Sequence, residues 1–330
     1  MVRFGIIGTG FITDAFIKGA MHAEGFRVSA VYSRDLEKAR EFGAKYGDDL
    51  TYFDDLDAFA ASDDFDAAYI ASPNALHGPQ SKLMLENGKH VLCEKAAASN
   101  ARELGEVIAL ARDKGLVYME AMRSLTYPTF TKLQEILPRI GQVRKYIGNY
   151  CQYSSRYDRH KNGEKVNTFQ KKFSNGSLMD IGIYGVYPAV FLFGVPEKIL
   201  ASGLLLTNGG VDGTGSILMS YPDKEAIILH SKISDSRMPS EIQGELGSIL
   251  IDKIGNPEKL TLILRDGTTE EIVPEQLADN MYYEAQEFIS VIESGRTEST
   301  INTHALAMDV HTILDEARRQ MGLSFPADEL

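Results

Sequence analysis

The sequence predicts two domains: an α/β domain on a parallel sheet, then an α+β domain with a large, mostly antiparallel open sheet. Three observations carry that expectation. The chain has 330 residues, more than the roughly 100–200 of one typical domain. Up to Arg123, short apolar runs alternate with helical patterns. Beyond it, strand-like runs follow one another, separated by turn signals such as Asn208-Gly209-Gly210, Pro222-Asp223 and Asp266-Gly267. The expected division is therefore 1–123 and 124–330, with the closing helices free to pack back on the first domain.

In the first part, residues 2–7, 27–32, 67–71, 90–93 and 116–119 are short, apolar and rich in β-branched or aromatic side chains. Such runs read as strands buried on both faces. Helical patterns cover 12–22, 35–46, 55–61, 78–87 and 100–114. The last has Ser99 as its expected N-cap, Glu103 in its first turns and Gly115 at its end. Strand–helix–strand repetition implies right-handed crossovers. In the second part, 143–153, 198–206, 214–221, 225–231, 248–251, 259–264 and 270–273 read as strands, and 178–193, 280–293 and 303–321 as helices.

Composition narrows the function. Hydrophobic residues make up 44% and charged residues 24%, as in an ordinary globular protein. No apolar run reaches the roughly 18 residues a membrane helix needs, so no membrane partner is expected. A net charge of −12 weighs against nucleic acid. Residues 139–172 break the trend, with nine Lys or Arg against two acidic residues. This segment is either a solvated strand and loop or a surface that attracts an anion. Two cysteines, Cys93 and Cys151, build neither a disulfide scaffold nor a zinc cluster, and they suit a reducing, cytoplasmic setting. No His/Cys/Asp cluster has metal-ligand spacing, so no metal is expected.

The first chemical motif is Gly8-Thr9-Gly10-Phe11-Ile12-Thr13, between the first strand and the first helix. Gly8 allows a tight turn. Gly10 lets a pyrophosphate approach backbone N–H groups at a helix N-terminus. Thr13 stands at the third glycine position. The pattern marks a Rossmann-like, dinucleotide-binding domain, with Gly8, Thr9, Gly10, Phe11 and Ile12 at the cofactor. At the end of the second strand, Ser33 and Arg34 stand where an NAD site normally has an acid. A hydroxyl and a guanidinium would hold a 2′-phosphate that a carboxylate would repel. NADP(H) is thus expected over NAD(H), and Asp35 is expected to cap the next helix.

Two further motifs end later strands, at the carboxyl edge where ligands of such sheets sit. Ser72-Pro73-Asn74 and His77 form a turn suited to the ribose and nicotinamide side, although His77 also reads as a purely structural helix residue. Glu94-Lys95-Ala96 follows the next strand. The Lys95 ammonium could polarise a hydroxyl or carbonyl and lower the pKa of a neighbouring acid. Arg123, at the junction of the halves, is open to two readings: a nicotinamide or substrate contact, or a hinge ion pair. Farther on, Asp180 and Tyr184 are four apart in a helical pattern, which places them on one helix face, with Tyr187 extending it. Read alone, Tyr184 and Tyr187 are equally core aromatics. Arg156, Tyr157, Arg159, His160 and Lys165 precede this helix and have no individual assignment.

Taken in order, these motifs resemble the glucose–fructose oxidoreductase and inositol dehydrogenase (Gfo/Idh/MocA) family. Its pattern runs from a GxGxx-small turn through a Pro-Asn turn ending in His, then Glu-Lys-Pro, then a helix with Asp-x-Gly-x-His or Asp-x-Gly-x-Tyr. Here the last is Asp180-Ile181-Gly182-Ile183-Tyr184. The resemblance covers essentially the whole chain. It implies Lys95 as the catalytic lysine, Asp180 as a substrate ligand and Tyr184 as the group that moves the proton, as in the dihydrodiol and D-xylose dehydrogenase branch. It also implies a homodimer. Ala96 departs from the family's proline, and a cis bond before a non-proline residue costs roughly 3 kcal/mol. The expected function is an NADP(H)-dependent oxidoreductase acting on a sugar, polyol or dihydrodiol. The alternatives are an NAD-dependent glycosidase working through transient oxidation and a non-catalytic cofactor sensor.

Overall fold

The computed structural model describes residues 1–329. The chain folds as two compact units. The first takes Met1–Arg123 together with Leu277–His304; the second takes Ser124–Gln276 and the residues from 305 on. A cut at 123/124 alone therefore leaves out the segment 277–304, which the first unit recruits from far along the chain.

In the first unit the elements are β1 (Val2–Ile7), α1 (Phe11–Ala20), β2 (Phe26–Tyr32), α2 (Leu36–Gly43), β3 (Thr51–Phe53), α3 (Leu56–Ala61), β4 (Ala67–Ile70), α4 (His77–Glu86), β5 (His90–Glu94), α5 (Ala101–Lys114) and β6 (Tyr118–Ala121). All six strands are parallel, in the order β3-β2-β1-β4-β5-β6. The order reverses between β1 and β4, the switch point where such sheets bind ligands. Register levels the strand ends: Ile7 lies beside Tyr32 and Ile70, and Ile70 beside Cys93. Gly8, Ser33, Ala71 and Glu94 are thus brought to one edge. On one face Phe4, Phe16 and Tyr69 pack with Phe288 from the recruited segment. Gly19 makes that docking possible, because a Cβ there would lie 2.7 Å from the Tyr282 backbone nitrogen.

The second unit contains α6 (Pro128–Ile136), β7 (Val143–Cys151), α7 (Tyr157–Lys161), α8 (Ile183–Phe193), β8 (Lys198–Leu205), β9 (Asp212–Ser220), β10 (Glu225–Ser231), β11 (Ser240–Gly244), β12 (Gly247–Ile251), β13 (Leu260–Leu264) and β14 (Thr269–Ile272). Two helices close the chain: α9 (Tyr282–Glu293), in the first unit, and α10 (His304–Met321). The eight strands run β14-β13-β12-β11-β7-β10-β9-β8. Every pair is antiparallel except β7 with β10, which is parallel. From Ile183 to Val190, α8 is buried throughout. Gly185 lets it touch the sheet, and Tyr146 donates its phenolic hydrogen to Gly185 O at 3.1 Å. By length and composition alone the helical stretch Lys171–Phe193 could cross a membrane, and 78% of its most apolar window is buried within the protein, as in a core helix.

Other differences have local causes. The cap of α5 is Asn100, whose side chain accepts from Glu103 N at 2.8 Å, rather than Ser99. Ser99 instead donates its own N–H to Glu103 Oε2. β3 and β11 escape the pattern search because three residues and a Ser-Glu-Ile-Gln-Gly stretch hold too few apolar positions. The basic segment 139–172 is partly paired. Arg139 pairs with Glu270, Arg144 with Glu245, Lys145 with Glu225 and Arg159 with Glu164. Three of these four carboxylates come from other strands or strand ends of the sheet, so the fold offsets part of the charge excess, while Lys165 and Lys172 stay exposed.

Candidate active site

One group of candidate residues lies at the carboxyl edge of the parallel sheet. Gly8 has φ +108°, and a Cβ there would lie 2.7 Å from Ala71 O. Gly10 caps α1 without any side-chain bond, and the space where its Cβ would be is open. The first helical bond runs from Asp14 N to Gly10 O at 3.1 Å, so the N–H groups of Phe11, Ile12 and Thr13 precede it. Thr13 is fully buried, which explains how a small residue replaces the third glycine against the sheet. Phe11 is 76% exposed beside this opening. An open glycine, an uncapped helix start and an exposed ring fit the phosphates of a dinucleotide.

At the end of β2, Ser33 Oγ accepts from Asp35 N at 3.4 Å. Asp35 caps α2, accepting from Lys38 N at 3.3 Å and pairing with Lys38 Nζ at 3.1 Å. Arg34 is exposed and, among the described residues, has no hydrogen bond or ion pair. The acid next to it is already committed, which leaves the guanidinium as the available charge.

After β4, Ser72 Oγ donates to Gln80 Oε1 at 2.6 Å, Pro73 O accepts from Leu76 N at 2.8 Å, and Asn74 is buried. His77 is buried at 1% exposure. Its Nε2 lies 2.6 Å from Ser72 O and its Nδ1 2.8 Å from Ala96 O. Burial lowers its pKa, and the two carbonyls oppose that.

After β5 the Lys95–Ala96 peptide is cis. Ala96, Ala97 and Ala98 are fully buried. The turn is fixed from outside: His77 holds Ala96 O, and Glu120 Oε1 accepts from Ala97 N at 2.8 Å. Lys95 itself is half-buried. Behind the turn lies a buried acidic cluster. Tyr69 donates to Glu94 Oε1 at 2.7 Å. Glu284 of α9 is fully buried, and neither of its carboxylate oxygens has a hydrogen-bond partner. Burial raises both acids; Lys95, Tyr69 and Arg123 pull Glu94 down, while Glu94 pushes Glu284 further up and Arg123 opposes. Arg123 therefore serves as the counter-charge of these two acids.

A second group of candidate residues lies on the other unit. Asp180 sits in a π-helical turn, Leu178–Gly182, and Tyr184 in the first turn of α8. The expectation of one continuous α-helical face is corrected here: the π-turn widens the helix between them, as single π-turns do at many functional sites. Tyr184 is buried and packs on Tyr150, ring centroids 5.7 Å apart. Asp180 Oδ2 is paired with Lys232 Nζ. The turn is anchored by Asp212, whose Oδ2 accepts from Leu178 N at 2.6 Å, and by His230, whose Nδ1 is 2.9 Å from Ser177 Oγ. Burial raises Asp212 to about 6 and lowers His230 to about 3, so the imidazole is neutral above about pH 3 and the aspartate ionises only above about pH 6. A cavity of about 440 Å³ opens at the end of β7, with Asn149, Tyr150, Arg237 and Lys253 in its wall. Of the unassigned group, Arg156 donates to Thr168 Oγ1 at 3.0 Å and His160 packs between Tyr157 and Phe169.

Sequence reasoning missed Glu284, Lys232, Asp212, His230 and Glu120. Two left a signal. Glu284 shares the apolar stripe of α9 with Ala285, Phe288 and Ile289. Lys232 continues the buried alternation Ala226, Ile228, His230 of β10.

Fold and edge chemistry together define a Rossmann-fold oxidoreductase with a sheet-bearing second domain, and comparison with known proteins gives its family. A model described as "Oxidoreductase family, NAD-binding Rossmann fold" (GFO_IDH_MocA) matches residues 2–122, and the GFO/IDH/MocA C-terminal domain matches residues 132–250. The chain is 50% identical over 329 residues, all of both chains, to scyllo-inositol 2-dehydrogenase (NADP(+)) of Bacillus subtilis. It is 31% identical to trans-1,2-dihydrobenzene-1,2-diol dehydrogenase of Mus musculus, covering 99% of each. Among solved structures, a 3-ketoreductase from Actinomadura kijaniata superposes with TM-score 0.86 at 22% identity, covering 97% of this chain and 98% of that one. The chain belongs to the Gfo/Idh/MocA family and is an oxidoreductase.

Proposed function

We propose that this protein is an NADP(H)-dependent dehydrogenase of a cyclic polyol, with the inositol class as its substrate. The observation that carries this reading is full-length 50% identity to an NADP(+)-dependent scyllo-inositol dehydrogenase. The uncommitted Arg34 guanidinium supports the choice of NADP(H). The cofactor, when bound, supplies or accepts a hydride at the CH–OH carbon. Gly8, Thr9, Gly10, Phe11 and Ile12 would hold its pyrophosphate, and Ser33 with Arg34 its 2′-phosphate. Ser72, Pro73, Asn74 and Glu94 would line the ribose and nicotinamide side.

In this reading Tyr184 exchanges the hydroxyl proton at its phenolic oxygen. The family resemblance gives Lys95 the supply of positive charge that favours the alkoxide. Asp180 accepts hydrogen bonds from ring hydroxyls, and Lys232 orients it. The reading includes a cytoplasmic homodimer, supported by the free thiols of Cys93 and Cys151 and by the family resemblance. The test is initial-rate formation of NADPH and of NADH with scyllo-inositol, myo-inositol, a dihydrodiol and aldoses. Turnover on an inositol with NADP(+) in preference to NAD(+) is expected. No turnover on any cyclic polyol overturns the substrate class.

A further inference from the structure

We propose that His77 is a positioning residue that latches the Ser72 turn to the Lys95 turn as a doubly protonated imidazolium. The inference rests on the reading above, in which these turns serve cofactor and lysine. Both ring nitrogens face atoms that can only accept: Ser72 O at 2.6 Å and Ala96 O at 2.8 Å. A neutral imidazole carries one N–H, so it can satisfy one carbonyl only and presents a lone pair to the other. Both bonds exist together only when the ring holds two protons. The ring is 1% exposed and Ala96 fully buried, so water is not a substitute partner at the Ala96 carbonyl, whereas Ser72 is half-buried.

The surroundings make the second proton labile. Across the elements packed on α4, the charged groups near the ring are Lys95 after β5, which opposes the proton, and Glu120 on β6, which favours it. Glu103 on α5 lies against Gly78, with its carboxylate on Ser99 N. Glu94 is turned to Tyr69, the His90 ring accepts from Val117 N, β4 carries no charge, and α3 offers only the exposed Asp57. Burial pulls the pKa below the ordinary histidine value. With falling pH the latch closes on both carbonyls. With rising pH one of them is released, and the Ser72 turn or the Ala96 turn loosens.

The test joins a direct and a functional readout. Imidazole ¹⁵N spectra of the full chain, assigned by comparison with H77Q, count the protons on the ring from pH 5 to 9. NADPH affinity is titrated by fluorescence for wild type and H77Q over the same range, so that changes in the cofactor's own phosphate cancel between them. Two ring protons at the acid end are expected, with wild-type affinity weakening about tenfold as one is lost, the scale of one hydrogen bond from a charged donor. H77Q should lack that step. A single ring proton at every pH overturns the latch even if NADPH binds normally. A ring that titrates without any matching step in affinity or in the KM for NADP(+) overturns its positioning role. Absence of NADPH binding at every pH in the wild type would count against the cofactor reading instead, and the proton count would still decide the latch.

Discussion

Lys232, just past the end of β10, closes an ion pair on Asp180 of the π-turn, with 11% and 29% of the two side chains exposed. An aspartate held this way keeps one oxygen on the lysine and can turn the other to a substrate hydroxyl. Asp180→Asn and Lys232→Met should each raise the KM for the polyol by roughly 10- to 100-fold, the low end of the cost of breaking a partly buried pair, with NADPH affinity unchanged. The double variant should lose less than the sum of the two, which steady-state kinetics on a double-mutant cycle will measure.

Arg34→Ala should weaken NADPH by roughly 1–3 kcal/mol, the range for hydrogen bonds to charged groups, and leave NADH nearly unchanged. Fluorescence titration of both cofactors checks this. Equal affinity of the wild type for the two would remove the role given to Arg34.

Lys95→Met and Tyr184→Phe should each lower turnover by roughly 10²–10⁴-fold while NADPH affinity holds, the scale of lost proton-transfer chemistry. Should Tyr184→Phe keep near-normal turnover, the tyrosine is packing against Tyr150 and no more.

Glu284 predicts a pH dependence of stability. Burial and Glu94 raise its pKa in the fold above the unfolded value, so the native state binds the extra proton. Stability from this group is full below the unfolded carboxyl pKa and declines as pH rises towards the folded one. Glu284→Gln removes the titrating group and keeps the shape. Its stability relative to wild type should therefore grow from pH 5 to pH 8 in urea denaturation. A constant difference would mean that the carboxyl is already compensated in the fold.

Asn100→Ala should cost about 1 kcal/mol through the lost cap of α5, and Ser99→Ala much less at that terminus. Thermal unfolding of the two variants separates them.

The alternation of strands and helices, the Gly8–Thr13 turn and the motifs at Ser33, Ser72 and Lys95 were all legible before any coordinates, because each is a local pattern: a period, a turn chemistry, a charge at a strand end. Asp35 as a cap and Gly115 as the left-handed end of α5, at φ +65°, were legible for the same reason. The spacing of Asp180 and Tyr184 was legible, but the π-turn between them was not, since a π-turn depends on what the helix is pressed against, here His230 and Asp212 on the sheet.

The sequence alone determined the class of fold, the edge at which the cofactor motifs gather, and the candidate groups along it. Only the tertiary structure decided which groups face one another. It buried Glu284, 190 positions after Glu94 in the chain, in the same apolar interior, and set Lys232 on Asp180 from a strand 52 residues away. It placed His77 between the carbonyls of Ser72 and Ala96, and paired Arg139, Arg144 and Lys145 of the basic run with carboxylates from elsewhere in the sheet. The reason is physical: secondary structure and turns are set by neighbours in sequence, whereas pKa values, ion pairs and the fixing of a turn depend on burial and on partners that only long-range packing brings within a few ångströms.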